Sequence, residues 1–179
     1  MSIKGVIFDF NGTLFWDTEL HNTAWDMFLE RMSIEKEDIY QDLCLKQNLG
    51  LAEGSIDFFN FLITQKIPFT IATAADLYNV DFYFRHLNLG LYFDKSKVIY
   101  SDGSIKSKPE PEIFFKALKV LGLAAEEVLI FEDSNAGISA AENALVKKII
   151  IVNSTGSDYS RWTYKVIRNF AEVDRGLFI

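Results

Sequence analysis

Four short stretches carry side chains that could do chemistry together. Asp9, Asn11 and Thr13 fall in FDFNGTLF, directly after the apolar run Gly5-Val6-Ile7-Phe8. Thr73 closes Phe69-Thr70-Ile71-Ala72, Lys108 sits in KSKPEPE, and Glu132-Asp133 follows Val128-Leu129-Ile130-Phe131. If these apolar runs are parallel strands, three carboxylates, a hydroxyl and an ammonium meet on one rim. Carboxylates crowded in this way raise one another's pKa unless a cation joins them. Mg²⁺ suits such a set, because it is a hard ion that takes one or two carboxylates, waters and a phosphate oxygen. Thr73 and the amides after it could hold phosphate oxygens at a helix N-terminus, with Lys108 adding positive charge. This parts list serves phosphoryl transfer through a carboxylate nucleophile.

Each piece also has a plainer reading. Asn-Gly between apolar residues is a hairpin signal. Glu132-Asp133 is compatible with a strand-to-helix turn capped by Asp133 or Ser134, and Lys108-Pro109 with a loop entering a helix. Their joint occurrence in this order favours the site.

The elements that must position these residues follow from the hydrophobic pattern. Runs at 5–8, 69–72, 128–131 and 149–152 are apolar at successive positions, as in strands buried on both faces of a parallel sheet. Val98-Ile99-Tyr100 reads as a shorter strand. Amphipathic spacing predicts helices over 19–32, 35–47, 55–66, 77–88, 110–121 and 135–144. Alternating strands and helices predict a doubly wound α/β domain, with ligands beyond the carboxyl ends of the strands. Residues 16–53 break the alternation with two helical stretches in sequence, the first placing Leu20, Ala24, Met27, Phe28 and Arg31 at helical spacing. They read as a small helical lid over the site, or as helices packed against the sheet in the ordinary way. The tail from Asp158 reads as a last edge strand and a short helix.

At 179 residues with 16 Phe, the chain is one domain with ample core, or one domain carrying a small insertion. A net charge of −7 argues against nucleic acid or an anionic membrane as partner, and requires local cations or a metal for an anionic substrate. Cys44 is the single cysteine, so no internal disulfide forms, and a packed helix position is its expected role. The apolar start is too short for a secretory signal and no run reaches membrane-spanning length, which predicts a soluble, cytoplasmic protein.

The motifs and their order resemble the haloacid dehalogenase superfamily, in particular its β-phosphoglucomutase-like phosphatases and phosphomutases. The motif Asp-x-Asp-x-Thr is matched by Asp9-Phe10-Asn11-Gly12-Thr13, and the Thr that closes a strand by Thr73 in FTIATAA. Lys108 in SKPEPEIFFKAL and the acidic pair of FEDSNAGISAAENA match the third and fourth motifs, while His21 and Trp25 in DTELHNTAW look like the start of a cap helix. The resemblance implies a Rossmann-like core over 1–15 and 54–179 with a helical cap over 16–53. It implies that Asp9 is the nucleophile and that Asp9, the Asn11 carbonyl, Glu132 and Asp133 hold Mg²⁺. Thr73, the Ala74 amide and Lys108 are expected to grip the phosphoryl group, and His21 to sit at the hinge near the substrate.

Three departures stand out. Asn11 occupies the general acid/base position, where an amide can neither protonate a leaving oxygen nor help activate water. The cap is short, with room for about two helices between His21 and Gly54. Asn143-Ala144-Leu145 lacks the expected glycine, a local change in how a helix ends. The expectation is a Mg²⁺-dependent phosphohydrolase of a small phosphorylated metabolite, slowed by Asn11 and monomeric. The alternatives are a phosphometabolite-binding protein of low turnover and a hexose-phosphate mutase.

Overall fold

The apolar runs become strands because alternate residues find apolar partners on opposite sides of one sheet. In the computed structural model, which describes residues 3–17, 19–24 and 36–178, the strands are β1 (Gly5–Phe8), β2 (Phe69–Ile71), β3 (Val128–Glu132), β4 (Lys148–Val152) and β5 (Lys165–Ile167). Their order is β2-β1-β3-β4-β5, and every neighbouring pair is parallel. Residues 98–100 contribute only an isolated bridge, Ala72 to Ile99, beyond the end of β2. The expected edge strand in the tail is β5, followed by 3₁₀ turns at Phe170–Glu172 and Arg175–Phe178.

Among the described residues the sheet is flanked by helices α1 (Lys36–Lys46), α2 (Ser55–Thr64), α3 (Leu77–His86), α4 (Glu112–Leu121) and α5 (Asn135–Asn143). Residues 19–24 are also helical; Trp25, Met27, Phe28 and Arg31, expected to continue that helix, lie outside the described residues. Local signals set the helix ends. Asp76 caps α3 by accepting from the Asn79 N–H, and Ser134 caps α5 by accepting from the Gly137 N–H. α4 starts after Pro111 and stops at Gly122, whose φ is 67°.

Two apolar layers result. Val6, Phe8, Leu129, Phe131, Ile150 and Val152 face one cluster with residues of α2 and α3. Ile7, Val128, Ile130, Ile149 and Ile151 face the other, with α4 and α5. Phe8 anchors the first layer, stacking on Phe131 at 5.2 Å and meeting the rings of Phe58, Phe59, Phe69 and Phe93 edge-on. Burying such a ring contributes about 1.5–3 kcal/mol. Ile39, Tyr40 and Cys44 of α1 join this same layer. Burial pushes the Cys44 thiol up to about 12, in keeping with a packed rather than reactive role. No described helix is long and apolar enough to cross a membrane.

Candidate active site

The register of the sheet decides which side chains meet. Phe8 of β1 lies opposite Phe131 of β3, so Asp9 and Glu132 leave the sheet side by side, and the Asp9 N–H donates to the Phe131 carbonyl at 3.0 Å. On the other flank the Ala72 N–H donates to the Phe8 carbonyl at 2.8 Å, which brings Thr73 to the same rim. FDFNGTLF makes no hairpin, because β1 pairs with β2 and β3. Instead Gly12 turns the chain with φ 76°, and its N–H donates to the Phe15 carbonyl at 2.6 Å. That glycine also clears space: a Cβ there would lie 2.1 Å from Asp133 Oδ2.

Lys108 reaches in from the loop before α4. Its ammonium donates to Asp9 Oδ1 and Glu132 Oε1, each at 2.5 Å. The other oxygen of Glu132 accepts from the N–H groups of Asp133 and Ser134, both at 2.8 Å. Glu132 is fully buried, and α5 approaches it so closely that a Cβ on Gly137 would fall 1.7 Å from Oε1. Thr13 donates to Asp133 Oδ1 at 3.2 Å, and the Tyr159 hydroxyl donates to the Asp133 carbonyl.

Asp9, Glu132 and Asp133 each place a carboxylate oxygen within 4.8 Å of the others. Burial pushes the Asp9 carboxyl up to about 7, with the charge on Glu132 adding to the rise and Lys108 opposing it. Burial, then Asp9 and Glu132, push Asp133 up to about 9. Burial acts to lower the Lys108 pKa, but the two carboxylates outweigh it and raise the value overall. One ammonium thus faces three carboxyl groups in a largely buried site, and ionising all three would leave excess negative charge. The oxygen donors fit a hard divalent cation. The Asn11 carbonyl, which accepts no hydrogen bond among the described residues, adds a further donor.

Asn11 looks the other way. Its Nδ2 donates to Asp17 Oδ2 and to the Tyr83 hydroxyl, the latter at 2.8 Å, and its Oδ1 accepts from Thr73 Oγ1 at 3.3 Å. Asp17 is wholly buried and also accepts from the Gly12 N–H at 3.0 Å and from the Tyr40 hydroxyl. Burial and the Asp17 charge raise the Tyr40 pKa, so its hydroxyl stays protonated and donating. His21 stacks on Tyr40 at 3.9 Å, sets Nε2 3.2 Å from Asp17 Oδ2 and faces the Lys36 ammonium at 2.6 Å through Nδ1.

The structure therefore gathers Asp9, Lys108, Glu132 and Asp133 in one cluster. Asn11 joins that cluster through the main chain to a second group made by Thr73, Asp17, His21, Tyr40 and Tyr83. The Ala74 N–H donates to none of the described residues and lines the adjoining cavity. Asp17, Tyr40 and Tyr83 are the participants that sequence reasoning missed. The signal for Asp17 was an acid between an apolar run and a helix start, which reads equally as a cap.

The family profile of haloacid dehalogenase-like hydrolases matches residues 29–144, a span that holds Thr73, Lys108, Glu132 and Asp133. The chain belongs to the haloacid dehalogenase-like hydrolases. A family IA, variant 3 hydrolase of this superfamily from Entamoeba histolytica superposes with a TM-score of 0.88 at 29% identity, over 98% of this chain and 97% of that one. The β-phosphoglucomutase of Clostridium difficile shares the fold with a TM-score of 0.77 at 18% identity, over 97% and 94% of the two chains. A phosphorylated carbohydrates phosphatase of Thermotoga maritima is 32% identical over 122 residues, which is 68% of this chain and 53% of the relative. The chain thus spans about half the length of that relative. The five-stranded parallel sheet with helices on both faces is the Rossmann-like core of the superfamily.

Proposed function

We propose that the protein is a Mg²⁺-dependent phosphohydrolase of a small phosphorylated metabolite, with Asp9 as nucleophile. The observation that carries this reading is the buried Asp9–Lys108–Glu132 chain beside Asp133. Asp9, the Asn11 carbonyl and Asp133 would hold the ion, with Glu132 close by but engaged by Lys108 and by two main-chain N–H groups. Bound there, Mg²⁺ would supply positive charge against the phosphoryl oxygens.

The residues divide the remaining work. Lys108 holds one Asp9 oxygen, which orients the carboxylate for in-line attack. The Ala74 N–H offers a donor to a phosphoryl oxygen, the Thr73 hydroxyl would add one by turning from Asn11 Oδ1, and Lys108 offers charge. In the first step an Asp9 oxygen bonds to phosphorus while the phosphorus–oxygen bond of the ester breaks, its electron pair leaving with the alcohol oxygen, which takes a proton from solvent. In the second, water bonds to phosphorus and gives up a proton to solvent while the bond to Asp9 breaks, releasing phosphate and the free carboxylate. Asn11 carries no proton for either step. General acid–base help is worth about 10²–10⁴-fold, so turnover should be slow on poor leaving groups. His21 lies at the Asn11 side, where the leaving group departs. Residues 16–53 serve in this reading as the cap that encloses the leaving group.

The test is phosphate release with Mg²⁺ across sugar phosphates, nucleotides and aryl phosphates, comparing the protein with Asp9→Asn. Release that disappears in the variant is the expected result. Equal release from both proteins rejects Asp9 as nucleophile. The Asn11 amide, already committed to Asp17 and Tyr83, favours one other reading, a binding protein of low turnover. Silence on every substrate, together with retained phosphate binding, selects that reading.

A further inference from the structure

Beside Asn11 the molecule carries a cavity of about 360 Å³, bounded on the site side by Asn11, His21 and the Ala74–Ala75 backbone. In the phosphohydrolase reading, the group esterified to the phosphate would occupy it. Its outer wall is built by the first turns of α1 and α3, with Lys36, Glu37, Asp76 and Asn79.

The charges of that wall are already placed. Lys36, the one cation of the described lining, faces His21 Nδ1 at 2.6 Å and Glu37 Oε1 at 3.2 Å, and its ammonium lies 5.4 Å from the centre of the Tyr40 ring. The second oxygen of Glu37 accepts from Asn79 Nδ2 at 2.5 Å, and Asn79 Oδ1 accepts from Gln41 Nε2 at 3.1 Å, which fixes the carboxylate from two sides. Asp76 is held by the Asn79 N–H at 3.0 Å. Among the described lining residues one lysine therefore stands against two carboxylates, and buried Asp17 lies 3.2 Å from Nε2 of His21. Hydroxyls and amines can bond to such a wall. A second phosphate or a carboxylate would meet like charge at close range in a partly desolvated cavity.

We propose that Glu37 is a specificity-determining residue. The site accepts phosphomonoesters whose leaving group bears hydroxyls or amines, and rejects those carrying a second anionic group. This rests on the phosphohydrolase reading for its kinetic form, but the discrimination is a property of the cavity and shows in binding as well.

Two measurements keep the ideas apart. The first compares kcat/KM for fructose 6-phosphate and fructose 1,6-bisphosphate. The second measures Kd for the same pair by calorimetry on the Asp9→Asn protein with Mg²⁺. The monophosphate should lead by about tenfold or more in each. Glu37→Gln should narrow the ratio about tenfold, and Glu37→Lys should narrow it further or reverse it, with melting curves confirming that both variants fold. An unchanged ratio in both variants, or a bisphosphate preferred by the parent protein, overturns the proposal. Turnover of an aryl phosphate with a preferred bisphosphate leaves the hydrolase standing and removes the specificity. A Kd ratio that holds with no turnover of any ester does the opposite. If neither sugar phosphate binds, the cavity is not a leaving-group site and the proposal falls.

Discussion

The Asn11 amide does something a carboxylate could not do at that position: it donates to Asp17 and Tyr83 together. Replacing it with Asp would set a half-buried carboxylate against buried Asp17 across a hydrogen-bond distance, and the pair could stay only by sharing a proton. Such a carboxyl titrates above its unfolded value, so its stabilising effect is present at low pH and lost as pH rises. Asn11→Asp should therefore melt close to the parent at pH 5 and below it at pH 8, by about 1–3 kcal/mol. In phosphate release the same variant should gain on poor leaving groups, because a shared proton is a usable one. A variant that melts alike at both pH values would show that Asp17 does not sense position 11. Asn11 was conspicuous in the sequence because it interrupts a motif of acids. Asp17 was not, because its meaning lies in Tyr40 and Tyr83, which are distant along the chain and indistinguishable there from ordinary core tyrosines.

Helix α5 shows how an element serves the site at one end and tolerates strain at the other. At its start, Gly137 leaves room for the Glu132 carboxylate, and a Cβ would sit 1.7 Å from Oε1. Gly137→Ala must displace Glu132 from Lys108; thermal unfolding should show a loss of about 2–4 kcal/mol, and phosphate release should fall with it. At its end, exposed Leu145 adopts φ 64°, a left-handed conformation that suits glycine. Leu145→Gly should thus stabilise the protein by about 1 kcal/mol in denaturant titration, since relief of backbone strain outweighs the added freedom of the unfolded chain. Strands β1, β3 and β4 were readable because burial on both faces leaves a continuous apolar run. The segment 98–100 looked the same, yet it meets the sheet only where Ile99 bridges Ala72. Composition does not reveal whether a short apolar run has a neighbour along its whole length.

At the scale of the whole molecule, the carboxyl rim ties stability to pH and metal. Burial raises the carboxyls of Asp9 and Asp133 to about 7 and about 9 in the fold, against 3.8 for an ordinary aspartate. The folded protein therefore keeps protons that the unfolded chain has released. Without a cation, stability should fall as pH rises from about 4 towards 9. A divalent ion binds the deprotonated form, so Mg²⁺ should raise the melting temperature more at pH 8.5 than at pH 5.5. Asp133→Ala should remove that shift; a shift that persists in the variant would place the ion elsewhere. The 16 Phe of the sequence announced a large core. They did not announce that residues of α1 would enter the same apolar layer as Phe8, because that depends on which face of the sheet receives them.

Residues 15–51 are bracketed by one contact, in which the Ala52 N–H donates to the Leu14 carbonyl at 2.8 Å. The two ends of the stretch share one hydrogen bond, which holds its entry and exit side by side. Doubling the length of such a loop adds only about 0.6 kcal/mol of closure entropy. Leu14 and Ala52 are therefore natural splice points for redesigning what the site admits, with Asp17, which accepts from the Gly12 N–H, and the α1 residues packed beside Phe8 kept in any graft.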